Sequence, residues 1–250
     1  FYDRFSRVFV AASSRLISPQ GLVHRRSFPG HSANATAFMD ARSFYGHGEF
    51  IRPYLTPGMK VLDCGCGPGA ISVGLAEAVG PAGHVTGVDS GESQIEVAKG
   101  RARANLTFRV ASIYELPFED GTFDLVFSHA LFEHLAEPIR GVTEIRRVLR
   151  AGGVVGLCSP DWGGFILSPT DGQVETAIAR YRMLQEKNGG QTRAGRQLGS
   201  WLTAGGLATQ HIQARYECYR DSRVIAEYLA LQLEGAGDIE SGSVLRNWLP

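Results

Sequence analysis

A doubly wound, mostly parallel α/β sheet with helices on both faces is the fold this sequence predicts, and three observations carry the prediction. The apolar run Val61–Leu62 ends at Asp63–Cys64, glycines follow at alternate positions 65, 67 and 69, and a helix-period pattern leaves from Ala70 to Ala76. That is a strand, a tight turn and a helix, because glycine lets the backbone bend sharply and lets a ligand approach it closely. Short apolar runs then alternate with helix-period segments as far as Ser159, the pattern of βαβ units joined by right-handed crossovers. One of these runs ends on a second acid, Asp89, about twenty residues past the turn, where α/β nucleotide-binding folds place a carboxylate for ribose hydroxyls.

Taken in order, residues 1–50 show no clear strand. Phe5, Phe9, Ala12 and Leu16 fall at helical spacing and, with Arg4, Arg7 and Arg15, make the first 18 residues basic and amphipathic. A cap helix over an active site is favoured there over a transit peptide. Residues 24–32 read as loop, and 33–45 and 49–55 as helical. Strands are predicted at 60–64, 84–89, 106–110, 123–127 and 153–159, and helices at 70–79, 92–104 and 138–150. Beyond Ser159 the pattern loosens. Residues 160–192 read as an insertion packing on the lid, with a helix from Asp171 to about Glu186. A helix at 195–204, a β-rich run at 208–219 as the sixth strand, and helices at 221–234 and 240–249 follow. The economical division is one domain over 1–250: an N-terminal helical lid (1–50), a cofactor-binding core (51–159), a lid insertion (160–192) and the C-terminal part of the core (193–250). The chain opens on Phe rather than Met, as a fragment or trimmed chain would.

Bulk composition excludes several classes. Lys plus Arg and Asp plus Glu are 25 each, which disfavours a body held to nucleic acid by phosphate attraction. Cys64, Cys66, Cys158 and Cys218 are too few and too scattered for a disulfide framework, and no second pair stands at zinc-ligand spacing. Free thiols in a reducing cytoplasm and no metal are expected. No apolar run reaches membrane-spanning length.

The glycine turn admits two ligand chemistries. Gly65-x-Gly67-x-x-Ala70 fits the nicotinamide fingerprint G-x-G-x-x-G/A, so an NAD(P)-dependent oxidoreductase is one reading. Asp63 pulls the other way: at the strand end it would repel a pyrophosphate and suit a cationic amino group. Pro68 stiffens the loop at fixed φ. Asp89 serves either cofactor.

The string Asp63-Cys64-Gly65-Cys66-Gly67-Pro68-Gly69 resembles motif I of class I S-adenosylmethionine-dependent methyltransferases. The runs Ser112–Phe118 and Phe123–Leu135 and the turn Leu149–Gly153 are similar, in consistent order, to that family's segments around its third to fifth strands. Over roughly residues 42–160 the chain looks like the methyltransferase type 11 group, related to the ubiquinone/menaquinone-biosynthesis methyltransferases, which mostly act on small molecules. The resemblance implies a Rossmann-like fold with an N-terminal and an inserted helical lid, S-adenosyl-L-methionine as cofactor and a small-molecule acceptor. It also implies that Asp63, Gly65, Gly67 and Gly69 hold the methionine end, Asp89 the ribose, and Ser112 with Ile113 the adenine. Arg42, Cys66, Ser90, Gln94 and Ser128 complete the expected cofactor-binding set. Two departures stand out. Ser112 occupies a position where the family usually has Asp, and a neutral acceptor binds the adenine amino group less strongly. After Tyr219 there is no good seventh strand, so it lies outside this chain or the sheet edge is built differently.

Methyl transfer from a sulfonium is an in-line displacement on an activated electrophile, and positioning alone accounts for about 7–11 kcal/mol of such a barrier. A base is needed only when the acceptor carries a proton that must leave. His129, at the carboxyl end of the fourth predicted strand, and His134, one helical turn on beside Glu133, are the candidate bases; shaping the pocket is the alternative role for both. His31, Phe38, Arg42, Tyr45 and His47 are expected on the pocket side of the lid. Trp162, Phe165, Tyr181, Trp201, Tyr216 and Tyr219 offer aromatic surface for an apolar or aromatic metabolite, although core packing explains most of them equally well. The remaining rival is a binder that keeps the cofactor and transfers nothing, or catalyses a rearrangement. A homodimer is compatible with all of these readings.

Overall fold

A computed structural model of the chain describes residues 7–11, 39–164, 171–214 and 222–248. Its strands are β1 (Arg7–Ala11), β2 (Lys60–Cys64), β3 (His84–Asp89), β4 (Leu106–Val110), β5 (Phe123–His129), β6 (Leu149–Cys158) and β7 (His211–Gln213). Its helices are α1 (Ala70–Val79), α2 (Glu92–Lys99), α3 (Pro138–Val148), α4 (Gly172–Lys187), α5 (Ala194–Ala204), α6 (Ser222–Gly235) and α7 (Ile239–Asn247).

The strands form one sheet in the order β4-β3-β2-β5-β6-β1-β7. From β4 to β6 every neighbour is parallel, and β1 runs antiparallel between β6 and β7. The chain winds outward from β2 to β4 on one side and from β5 to β6 on the other, so the switch point lies between β2 and β5. Val88, Cys64, Ser128 and Leu157 share one row across the sheet. The segments that follow them therefore emerge together over its carboxyl edge, the place where open parallel sheets bind ligands.

The far edge of the sheet differs from expectation. The missing strand comes from the beginning of the chain: Arg7–Ala11 pairs with β6 from Val8 opposite Leu157 to Ala11 opposite Val154. The helical spacing read from Phe5 to Leu16 gives way to Val8-Phe9-Val10, a run whose β-branched and aromatic side chains favour the extended form. Of the predicted sixth strand, 208–219, His211–Gln213 is a strand, and residues 215–219 lie outside the described residues. Residues 12–38 of the lid expected over 1–50 also lie outside them. The helix read through Tyr45 stops after Asp40, because Ser43 is extended (φ −142°) and its Oγ accepts the Gly46 N–H at 3.2 Å. That cap starts a separate π-helical turn, Phe44–Gly48, which runs into a 3₁₀ turn, Glu49–Tyr54.

Both faces of the sheet are covered, as near-continuous apolar strands require. On one face Ile71, Leu75 and Val79 of α1 and Ile95 and Ala98 of α2 pack with Phe44, Phe50 and Ile51. On the other, Val142, Ile145 and Val148 of α3 meet Leu198, Trp201 and Leu202 of α5. A third core is purely helical: Val174, Ile178 and Tyr181 of α4 close on Ile225, Leu229 and Leu233 of α6 and Leu245 of α7. Asp171 caps α4, its side chain accepting from the N–H groups of Gln173 and Val174.

The 3₁₀ turn is seated by close approach to β6. A Cβ at Gly156 would collide with Cγ2 of the fully buried Ile51. Gly156→Ala is therefore expected to destabilise the fold by about 1–3 kcal/mol, read as a lowered urea midpoint with unchanged slope.

Candidate active site

The glycine turn is shaped by contacts only glycine permits. Gly69 has φ +83°, and a Cβ there would lie 2.7 Å from the Phe108 ring of β4. Gly65 has φ +71°, and its Cβ would meet Leu131 at 3.0 Å. The chain thus turns over the end of β2 with the ring of Phe108 beneath it and Leu131 beside it.

The turn's N–H groups are committed inside the protein. Gly65 and Cys66 both donate to the Val88 carbonyl (2.8 and 3.0 Å), and Gly69 donates to the Cys66 carbonyl (3.0 Å). Gly67 donates to Asp89 Oδ2 at 3.0 Å, while Gly91 donates to Asp89 Oδ1 at 2.8 Å. Asp89 is thereby held by both oxygens at the end of β3, and each oxygen keeps a lone pair for a vicinal ribose hydroxyl. Asp63, one residue before the row's Cys64, is 2% exposed, and its Oδ2 accepts the Ser72 hydroxyl of α1 at 2.6 Å. Burial pushes its carboxyl up to about 7; the Ser72 bond opposes that rise and the charge of Asp89 adds to it.

Other expected cofactor residues fall into two groups. Ser112 is exposed just past β4, its Oγ accepting the Tyr114 N–H at 3.2 Å. Ile113 beside it is nearly buried against Leu116, Leu135 and Val142. The segment is fixed from α3: Glu144 accepts the Leu116 N–H, and Arg147 donates to the carbonyls of Leu116 and Phe118. Ser90 is exposed at the start of the β3–α2 turn. The side chains of the second group are buried. Cys66 turns inward beside Gly87, and burial pushes both its thiol and that of Cys64 well above the usual range. Ser128 donates to the Cys64 carbonyl at 2.8 Å, a tie across the switch point made because a buried hydroxyl on a central strand needs an acceptor. Gln94 is buried in the first turn of α2.

β5 ends at His129, half-buried over the carboxyl edge. The next residue, Ala130, has φ +55°, left-handed and costing about 1–2 kcal/mol for a non-glycine residue; its N–H bonds the Cys158 carbonyl at 2.8 Å. This kink throws the chain over the sheet into the 3₁₀ turn Phe132–His134. The His47 and His129 rings meet edge to face at 5.2 Å, so the lid-side residue His47 is brought to the candidate base. Tyr45 instead points to solvent, where Arg52 lies over its ring. His31 and Phe38 lie outside the described residues.

On the far side from the glycine turn is a buried polar seam that sequence reasoning did not find. Glu133 accepts the Ser159 hydroxyl at 2.7 Å, and its Oε1 lies 3.9 Å from His134 Nε2. Gln185 donates to the Tyr181 hydroxyl at 2.7 Å, which is hydrogen-bonded in turn to Tyr228 of α6. Burial raises both phenols, and Arg42 opposes the rise at Tyr228. Trp162 meets Tyr181 edge to face at 4.9 Å. Trp201, by contrast, stacks on Phe132 inside the main core, and Phe165, Tyr216 and Tyr219 lie outside the described residues. Among the described residues no cluster of His, Cys, Asp or Glu could hold a metal, Cys64, Cys66 and Cys158 form no disulfide, and no helix is long and apolar enough to cross a membrane.

Comparison with known proteins places the chain in a family. A family model described as a methyltransferase domain matches residues 55–206. An uncharacterized 37.1 kDa protein in transposon TN4556 of Streptomyces fradiae is 32% identical over 188 residues, covering 74% of this chain and 54% of that protein. Demethylmenaquinone methyltransferase of Staphylococcus aureus is 38% identical over 100 residues, covering 39% of this chain and 42% of its own length. The chain thus spans about half the length of these curated relatives. Among solved structures, the YcgJ protein of Bacillus subtilis superposes with a TM-score of 0.57 at 22% identity, covering 79% of this chain and 80% of that one; at that identity it bears on the fold alone.

Asp89→Ala removes the bridge between Gly67 and Gly91 as well as the expected acceptor for a ribose. It is expected to weaken S-adenosylhomocysteine binding by roughly 10- to 100-fold, measured by calorimetric titration, with the far-ultraviolet circular dichroism unchanged.

Proposed function

This chain belongs to the methyltransferase domain family and is a class I S-adenosylmethionine-dependent methyltransferase domain; from that premise we propose that the protein methylates a small, partly apolar or aromatic acceptor, chiefly by positioning it. The observation that carries the cofactor side is the electrostatic character of the glycine turn. Its N–H groups are bonded internally, and two carboxylates, Asp63 and Asp89, underlie it. A diphosphate would meet two carboxylates there and would find the N–H groups of Gly65, Cys66, Gly67 and Gly69 already bonded. A cofactor with a sulfonium, an ammonium and a ribose meets what each of its groups needs, and its single carboxylate can face the N-terminus of α1, whose N-cap Gly69 makes no side-chain cap.

When bound, S-adenosylmethionine supplies a methyl group already activated for in-line displacement. The chain's part is to hold Asp89 ready for the ribose, to keep Ser112 and Ile113 at the adenine end, and to present the acceptor over the end of β5. His129 is the residue placed to take a proton from an acceptor hydroxyl or amine, with His47 fixing its ring and His134 on the turn behind it. Support for a small apolar acceptor comes from the similarity to a relative named for demethylmenaquinone. A cytoplasmic location accords with Cys64, Cys66 and Cys158 forming no disulfide. The direct test is incubation with methyl-labelled S-adenosylmethionine and a panel of apolar phenols and quinols. Label in an organic product with equal S-adenosylhomocysteine supports the reading; a chain that binds the cofactor and never forms S-adenosylhomocysteine would be a binder.

Two outcomes follow from named groups. His129→Ala is expected to lower kcat about 10²- to 10⁴-fold with unchanged S-adenosylhomocysteine affinity; full turnover would remove it as the base. Asp63 in the cofactor-free chain is protonated below its pKa of about 7, and the cationic cofactor requires its ionised form. Affinity for S-adenosylmethionine should therefore fall as pH drops through 7, by at most about tenfold per pH unit. Asp63→Asn should flatten that dependence in titrations at pH 6, 7 and 8.

A further inference from the structure

We propose that Arg101 is a cofactor-retaining positioning residue, latching the Met39–Arg42 strap over the glycine turn so that the strap must unlatch before cofactor can leave. The proposal rests on the methyltransferase reading of the site above. Arg101 follows α2 and lies outside the turn, yet its guanidinium grips two segments at once. Nη1 donates to the Pro68 carbonyl at 2.8 Å, and Nη2 donates to Asp40 Oδ1 at 2.6 Å. The planar fork of arginine makes such double engagement natural, and lysine could not hold both partners in this geometry. Asp40 thereby draws the strap down on the turn: the Met39 sulfur sits 3.4 Å from where a Cβ on Gly67 would be. Gly67 is the residue that holds Asp89, so the latch closes directly beside the expected ribose site.

Within the strap the Arg42 N–H bonds the Met39 carbonyl at 3.2 Å. The latch itself is part-exposed, with side chains 29% and 40% accessible at Arg101 and Asp40. A pair of that exposure is weak enough to open on each catalytic cycle and is sensitive to salt.

The test is a chase of radiolabelled S-adenosylhomocysteine from the whole chain by excess unlabelled compound, at low and high salt. Arg101→Ala loses the ion pair and the charge-assisted bond to Pro68, and release should quicken about tenfold. Asp40→Asn loses the ion pair alone, and release should quicken about threefold. In the unsubstituted chain release should accelerate with salt; in both variants that acceleration should disappear, whereas Arg101→Lys should restore only part of the retention. Circular dichroism melts of the cofactor-free variants separate a loosened latch from a misfolded chain, and Asp40→Asn, at an exposed site, keeps the test decisive if Arg101→Ala does not fold. Release unchanged in Asp40→Asn, or a salt effect that persists in the variants, overturns the latch. If the unsubstituted chain binds no S-adenosylhomocysteine, both this inference and the reading beneath it fall.

Discussion

The bridge from Gly67 to Asp89 to Gly91 is the contact on which the rest of the site depends. It joins the turn after β2 to the turn after β3, and so converts two loops into one rigid platform at the switch point of the sheet. Without it Asp89 would be a surface acid free to rotate, and the turn would have an N–H to offer an anion. With it, the carboxylate is oriented before any ligand arrives, which lowers the ordering cost of binding. The same contact takes up the Gly67 N–H, one of the donors a diphosphate would otherwise use.

Around that platform the chain is organised as a sheet with two apolar faces and a separate helical unit. The two faces are ordinary cores, with α1 and α2 on one side and α3 and α5 on the other. The unit of α4, α6 and α7 has its own closed apolar centre, and its meeting with the sheet is marked by polar contacts among Glu133, Ser159, Tyr181, Gln185 and Tyr228. A body with its own core and a hydrogen-bonded junction suits an acceptor site that must be sealed and reopened, since the junction can part without exposing a large apolar face.

Much of this was legible in the sequence, for identifiable reasons. The parallel strands and the helices between them announce themselves because a strand buried on both faces must be apolar throughout and its crossover helix must be amphipathic; α1, β2, β3 and β4 fall where the periodicity places them. The turn through Gly65, Gly67 and Gly69 is legible because its left-handed backbone and close contacts admit few residue types. The rest depends on contacts distant in sequence. Nothing near Arg7–Ala11 says that it will pair with β6, about 150 residues away. Ser128 reads as a site residue by position, yet its hydroxyl is committed to Cys64. The left-handed Ala130, the Glu133–Ser159 pair and the Arg101 grip carry no local signature, since alanine rarely adopts φ > 0 and an arginine in a helix-end turn usually faces solvent.

The central claim is that the turn is built for S-adenosylmethionine and its demethylated product rather than for a nicotinamide dinucleotide. The most direct measurement is calorimetric titration of the purified chain with S-adenosylhomocysteine, with NADH titrated in parallel under the same conditions. Saturable heat from S-adenosylhomocysteine alone, at one site per chain, is the predicted result. Binding of NADH with none of S-adenosylhomocysteine would contradict the account and return the turn to the dinucleotide reading.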